Sequence, residues 1–148
     1  MKLTELLDKN AMCLDLKANT KYEVIDEMIG LLSSAGVIKD RDLFKKEIIN
    51  RENLGCTGIG FGIAIPHAKT SAVKKPTVAF GISKSGVDYD SIDSKKVNLI
   101  FMIAVGDNDS DLHLKALANL SRSLMHKEFR EKLLNAKTEN DILNIFNS

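Results

Sequence analysis

His67, His113 and His126 are the only imidazoles in this 148-residue chain. A neutral imidazole nitrogen is a competent nucleophile near pH 7. His67 is set apart by what surrounds it. It follows Pro66 directly, after the short apolar segment Ile63-Ala64-Ile65. Proline fixes the backbone and ends strand pairing, so a histidine there is presented at a strand end rather than packed mid-sheet. Just upstream lie Gly55, Gly58, Gly60 and Gly62. Closely spaced glycines let backbone amides approach an anion. Arg51 adds a guanidinium whose planar fork suits phosphate oxygens. His67 could thus carry a phosphoryl group, with Arg51 and the amides of Gly58, Gly60 and Gly62 as its ligands. Plainer accounts stand beside this one: the glycines fit a tight strand-to-strand turn, and a lone histidine is more often a surface or core residue.

His113 falls in the first turn of a helix that follows an Asp111 cap. Leu117 and Leu120 lie four and seven residues further on, so the ring points along the apolar face. A helix N-terminus favours the neutral ring, which can donate one hydrogen bond to a phosphoryl oxygen. A core-edge histidine satisfied by backbone explains the same position. His126, at a helix junction, reads as surface.

Other chemistries fit less well. The glycines lack the Gly-Lys-Ser/Thr ending of a P-loop, and no G-x-G-x-x-G opens a helix. Asp107, Asp109 and Asp111 resemble the start of a calcium loop, but its sixth position is Leu112 and its twelfth Ala118. N-capping is the better reading of those aspartates. No Cys or His pair has zinc-ligand spacing, so no metal and no cofactor is expected. A thiol pairing of Cys56 with His67 has nothing in the spacing to support it.

The elements that must position these residues follow from periodicity. Thr20 to Glu23 reads as a capping box. Val24, Ile25, Met28, Ile29, Leu32 and Ala35 then form a helical stripe, with Gly36 as its stop. A second helix starts near Asp40, with Leu43, Phe44 and Ile48 inward and Arg51 on a similar face. Met12–Leu16, Ile63–Ile65, Thr77–Ser83 and Val97–Val105 read as strands, the last buried on both faces. Gly86–Lys96 reads as turn and loop. A helix after Asp111 and two short ones, near Lys127–Asn135 and Thr138–Phe146, close the chain. Strands in the middle with helices on both sides imply an α/β layered domain, single over residues 1–148.

Composition sets outer bounds. Net charge is +1, which leaves no electrostatic footprint for nucleic acid. With 44% hydrophobic residues the chain is not of disordered type. The longest apolar run, Leu99–Val105, falls far short of the roughly 20 residues a membrane helix needs. Neither Met1-Lys2-Leu3-Thr4-Glu5 nor Ile145-Phe146-Asn147-Ser148 carries a secretion or lipidation signal, so a cytoplasmic location is expected, with Cys13 and Cys56 reduced.

The run Arg51-Glu52, the glycine-rich turn and Ile63-Ala64-Ile65-Pro66-His67 together resemble the signature of the fructose/mannitol class of EIIA domains. These belong to the bacterial phosphoenolpyruvate-dependent sugar phosphotransferase system (PTS). Asp88–Asp93, Val97–Ala104 and His113–Ser121 resemble the fructose-type members. The resemblance implies a three-layer α/β/α sandwich around a central mixed sheet. It implies that His67 accepts a phosphoryl group from HPr and passes it to an EIIB domain on a separate chain, serving a membrane EIIC. Arg51 and His113 match the positions that flank the phosphohistidine. Fructose is the implied sugar. The alternative is a regulatory EIIA of the nitrogen-related type, whose phosphorylation state controls partner proteins. Three departures stand out: Cys56 where Ser or Thr is usual, Phe61 where Asn is common, and a shorter turn at Gly106–Asp111. An exposed Phe61 would belong to a protein-docking surface.

Overall fold

Val97–Val105 organises the molecule. As strand β6 it sends Ile100, Met102 and Ala104 to one face and Leu99, Phe101, Ile103 and Val105 to the other, and both rows are buried. A strand apolar on both faces needs helices on both, and the chain supplies them. The computed structural model describes residues 3–147, in order α1 (Leu3–Leu6), β1 (Leu7–Cys13), α2 (Lys21–Ser34), α3 (Arg41–Leu54), β2 (Gly58–Gly60), β3 (Ile63–Ala64), β4 (His67–Lys69), β5 (Thr77–Val87), β6, α4 (Ser110–Leu124), α5 (Lys127–Leu134) and α6 (Glu139–Asn147). Met1, Lys2 and Ser148, which belong to the two terminal segments read for targeting signals, lie outside the described residues.

The sheet is six-stranded and mixed. Its order is β1-β5-β6-β3-β2, and β4 pairs with the far half of β6. β1 runs parallel to β5, β5 antiparallel to β6, and β3 and β4 both parallel to β6. On one face α2 and α3 bury Val24, Ile25, Met28, Ile29, Leu32, Phe44 and Ile48. On the other α4, α5 and α6 bury Ala116, Leu120, Leu124, Leu133 and Ile142. This is the expected three-layer α/β/α sandwich with a central mixed sheet. No helix among the described residues is long and apolar enough to cross a membrane.

Several local expectations need correcting. The strand expected at Met12–Leu16 is β1, displaced to Leu7–Cys13. Its register shifts between Leu7 and Met12, and Lys9 and Asn10 are exposed, so its sequence does not alternate. β5 continues to Val87, because Val87 still pairs with Val97 past an irregularity in the ladder. The Thr20 hydroxyl donates to the Glu23 carboxylate at 2.7 Å instead of capping an amide. Asp111 is not the cap of α4: it lies inside the first turn. Asp109 holds the cap position, but at ψ 37° it is not extended and makes no side-chain cap bond. Gly36, at φ 75°, ends α2 as expected.

Candidate functional site

Pro66 interrupts an edge that runs beside β6. Ile63 and Ala64 pair with Leu99 and Ile100, and His67 to Lys69 pair with Ile103 to Val105. Pro66 has no N–H to give the ladder, but its carbonyl accepts the Ile103 amide at 3.0 Å, which returns the chain to the sheet. His67 therefore opens a new strand rather than trailing an old one. It sits where a strand begins at the sheet edge, beside α3 and the start of α4.

The ring is mostly buried, at 9% exposure. Its Nδ1 lies 2.8 Å from the Ile65 carbonyl oxygen. A carbonyl can only accept, so Nδ1 carries the proton and Nε2 keeps its lone pair. Nε2 in turn accepts from Arg51 Nε–H at 3.2 Å. Arg51 is itself aimed by a 2.7 Å bond from its Nη1 to the Gly55 carbonyl. Burial holds the His67 pKa below the usual histidine range. The Ile65 carbonyl works against that shift, and the Arg51 charge adds to it. The ring is thus neutral and oriented, with its lone pair at Nε2.

His113 meets this ring edge to face, with centroids 4.9 Å apart. Its Nδ1 is buried and, among the described residues, has no hydrogen-bond partner. Burial, with smaller contributions from the His67, Lys69 and Arg51 charges, pushes its pKa down to about 4. That direction favours the neutral ring, with desolvation rather than the helix N-terminus as its main cause. His67, Arg51 and His113 line one cavity of about 290 Å³ with Glu47, Asn50, Leu54, Ala68 and Lys69. His126 is exposed at the α4–α5 junction, as read.

The glycines lie elsewhere. Gly58, Gly60 and Gly62 belong to the β2–β3 hairpin and do not line the cavity. The Gly58 amide donates to Cys56 Sγ and the Gly60 amide to Ser91 Oγ. Their need for glycine is structural. A Cβ on Gly58 would stand 3.0 Å from Ser91 Cα, and Gly62 sits at φ 76°. Cys56 does not approach His67: its thiol donates to the Tyr89 carbonyl at 3.4 Å and lies 3.7 Å from Lys21 Nζ. Among the described residues no group of three or more His, Cys, Asp or Glu could hold a metal.

Two residues went unassigned in the sequence. Glu52, not Arg51, continues the buried stripe of Phe44 and Ile48 at helical spacing. That position, read strictly, marks a buried carboxylate. It accepts from Lys21 Nζ at 2.9 Å, the Tyr89 hydroxyl at 2.9 Å and the Thr57 amide and hydroxyl, and so anchors the end of α3 behind the site. Lys69 is two residues past His67, which in a strand means the same face. Only the recognition of β4 as a strand would have revealed it.

Fold and site together define an α/β domain that presents one neutral histidine at a sheet edge, among cations. Residues 5–148 match the family described as "Phosphoenolpyruvate-dependent sugar phosphotransferase system, EIIA 2", and the chain belongs to that family. It is 49% identical over 147 residues, 99% of its length, to the PTS system fructose-specific EIIABC component of Bacillus subtilis, and spans 23% of that protein. It is 46% identical over 126 residues to the PTS system fructose-specific EIIA component of Haloferax volcanii, covering 85% of this chain and 82% of that one. Among solved structures, nitrogen regulatory protein IIA-Ntr from Neisseria meningitidis superposes with a TM-score of 0.88 at 30% identity, covering 97% of this chain and 98% of that one. The chain is therefore an EIIA domain related to both fructose-specific and nitrogen-regulatory members.

Proposed function

We propose that this chain is a single EIIA domain over residues 1–148 that accepts a phosphoryl group from HPr on His67 Nε2 and delivers it to an EIIB domain. The observation that carries the reading is the tautomer: with Nδ1–H on the Ile65 carbonyl, Nε2 alone has a lone pair to give. In the forward step that lone pair attacks phosphorus, and the bond to the donor breaks with its electron pair leaving on the donor. Nδ1 keeps its proton and its carbonyl throughout. Arg51 Nε–H turns from Nε2 to a phosphoryl oxygen, and neutral His113 donates a hydrogen bond to another. The glycine amides drop out of this mechanism, since they serve the hairpin. The work is positioning and charge stabilisation, as phosphoryl transfer requires. Leu54, 85% exposed at the cavity, offers an apolar rim for a docking protein.

The output of the relay has two readings. Delivery to a fructose-type EIIB and EIIC is supported by 49% identity to the B. subtilis protein. Control of partner proteins by phosphorylation state is supported by the near full-length superposition on IIA-Ntr, with a TM-score of 0.88. The test of the relay is incubation with phosphoenolpyruvate, Enzyme I and HPr, followed by intact mass. One acid-labile phosphoryl adduct, lost in His67→Ala, is the expected result. A phosphorylated His67→Ala protein refutes the assignment. Passage of the label to a fructose-type EIIB then separates the two outputs.

A further inference from the structure

We infer that Lys69 is a second cationic ligand of the phosphoryl group, held by Ser110 until His67 is phosphorylated. The inference rests on the reading of His67 as the phosphoryl acceptor. Lys69 lines the His67 cavity, two residues along β4 from the ring. Its Nζ donates to Ser110 Oγ at 2.8 Å, and among the described residues it forms no ion pair. An ammonium held by a neutral hydroxyl, outside ion-pair distance of any described carboxylate, keeps its charge available for a second ligand.

The position suits a transfer. Ser110 and His113 are three residues apart in the first turn of α4, so their side chains are neighbours on one helix face. The His113 ring touches the His67 ring. The Lys69 charge is felt there, since it helps hold His113 neutral. A lysine side chain, with its flexible four-carbon stem, reorients over such a span without moving its backbone.

Charge placement favours it. A phosphoryl group carries about −1.5 to −2 at pH 7, spread over its terminal oxygens. With Nδ1–H retained the phosphorylated ring is cationic, but that charge lies on the nitrogen side of phosphorus; on the oxygen side Arg51 supplies one positive charge, and the α4 N-terminus about half of one. His113 is neutral and adds a hydrogen bond but no charge. Glu47, on the α3 side of the cavity, and Asp109 and Asp111, beside Ser110 at the start of α4, work the other way, whereas Glu52 behind the site is paired with Lys21. Lys69 is the remaining cation in the cavity. On phosphorylation its ammonium exchanges the Ser110 hydroxyl for a phosphoryl oxygen, a stronger charge-assisted bond.

The test is ³¹P NMR titration of the protein phosphorylated by phosphoenolpyruvate, Enzyme I and HPr. A nearby cation favours the dianion, so Lys69→Met is expected to raise the phosphoryl group's second titration midpoint by about 0.5–1 pH unit. Lys69→Arg restores the wild-type midpoint. Ser110→Ala, which removes the hydroxyl but no charge, leaves it unchanged. A Lys69→Met midpoint equal to wild type overturns the inference. So does an equal shift in Ser110→Ala, because Lys69 would then act only by anchoring α4. Absence of any phosphohistidine resonance in the wild type overturns the His67 reading itself, a result distinct from the other two.

Discussion

Replacing Glu52 by alanine removes the acceptor at the centre of the buried cluster behind Arg51. Glu52 is 5% exposed and takes bonds from Lys21 Nζ, the Tyr89 hydroxyl and both the amide and hydroxyl of Thr57. The Lys21 side chain is itself only 12% exposed, and its ammonium lies 5.2 Å from the Tyr89 ring centroid. Burial alone would depress the Lys21 pKa, yet the bond and charge of Glu52 hold it above the usual lysine value. Truncation therefore leaves an ammonium, a phenol and an amide without their acceptor. Removing one partner of a buried pair costs about 3–5 kcal/mol. The slight solvent access of Lys21 places the expectation near the lower end, at about 3 kcal/mol. With a urea m-value of about 2 kcal/mol/M, the midpoint falls by about 1.5 M.

Equilibrium urea unfolding, followed by circular dichroism, reads that shift. A paired variant sharpens the test. Lys21→Met combined with Glu52→Gln removes both charges and leaves neutral groups able to pack and pair. Its loss is expected to be smaller than the sum of the two single losses, by at least about 1 kcal/mol. A Glu52→Ala loss under about 1 kcal/mol would refute the reasoning, as would strict additivity, since either means that water already solvates the cluster. A kinetic readout follows from position. Glu52 and Arg51 share the last turn of α3, so a loosened Glu52 also loosens Arg51. Phosphorylation by HPr should slow in Glu52→Ala even at temperatures where the variant is fully folded.

Arg51→Lys keeps the charge but cannot bridge His67 Nε2 and the Gly55 carbonyl with one planar fork. Loss of one charged hydrogen bond, about 1.5–3 kcal/mol, predicts phosphoryl transfer about 10- to 100-fold slower in rapid-quench assays. The two depressed histidines set a pH dependence. The unfolded chain protonates them near pH 6.5, whereas folded His113 resists until about 4. Their contribution is complete above about pH 6.5 and is lost as pH falls towards 4, so thermal midpoints should decline across that window and decline less in His113→Asn. Gly58→Ala drives a Cβ to 3.0 Å from Ser91 Cα, where backbone must give way. A loss of about 1–3 kcal/mol is expected on thermal unfolding, with the His67 site itself untouched.

What could be read in advance divides along physical lines. β6 was legible because burial on both faces leaves a continuous apolar run. α2 was legible because its buried stripe has unbroken helical spacing and ends in a glycine at φ 75°. β1 was displaced because its register break exposes Lys9 and Asn10 in the middle of the strand. At the site, Pro66 announced His67 through the missing N–H. The glycines misled, since closeness to an anion and closeness to Ser91 demand the same residue type. Phe61 is 69% exposed, as a docking residue would be, but it stands at φ 58° with Arg130 4.8 Å over its ring. That left-handed backbone is one asparagine adopts more readily than phenylalanine. Glu52 and Lys69 escaped because their partners, Tyr89 and Ser110, are 37 and 41 residues away in the chain.

The unphosphorylated site already holds the contacts that a relay must exchange. A carrier has to receive a group and surrender it, so neither state can lie far below the other in free energy. Arg51 Nε–H is bonded to Nε2 before transfer, and in the proposed relay it must leave that nitrogen for a phosphoryl oxygen. Lys69 must likewise leave Ser110. Each is an exchange of one hydrogen bond for another, and such exchanges net about 1 kcal/mol rather than the several that a bond made from nothing would release. His67 meanwhile keeps its Nδ1–H on Ile65, so the ring needs no reorientation in either direction. A site of bare, unpaired cations would bind phosphate more tightly and give it up more slowly. On this argument Ser110→Ala, which frees Lys69 in the resting state, should shift the equilibrium with HPr towards phosphorylated protein, by about fivefold for a 1 kcal/mol bond. An equilibrium unchanged by Ser110→Ala would mean that water replaces the hydroxyl at no net loss.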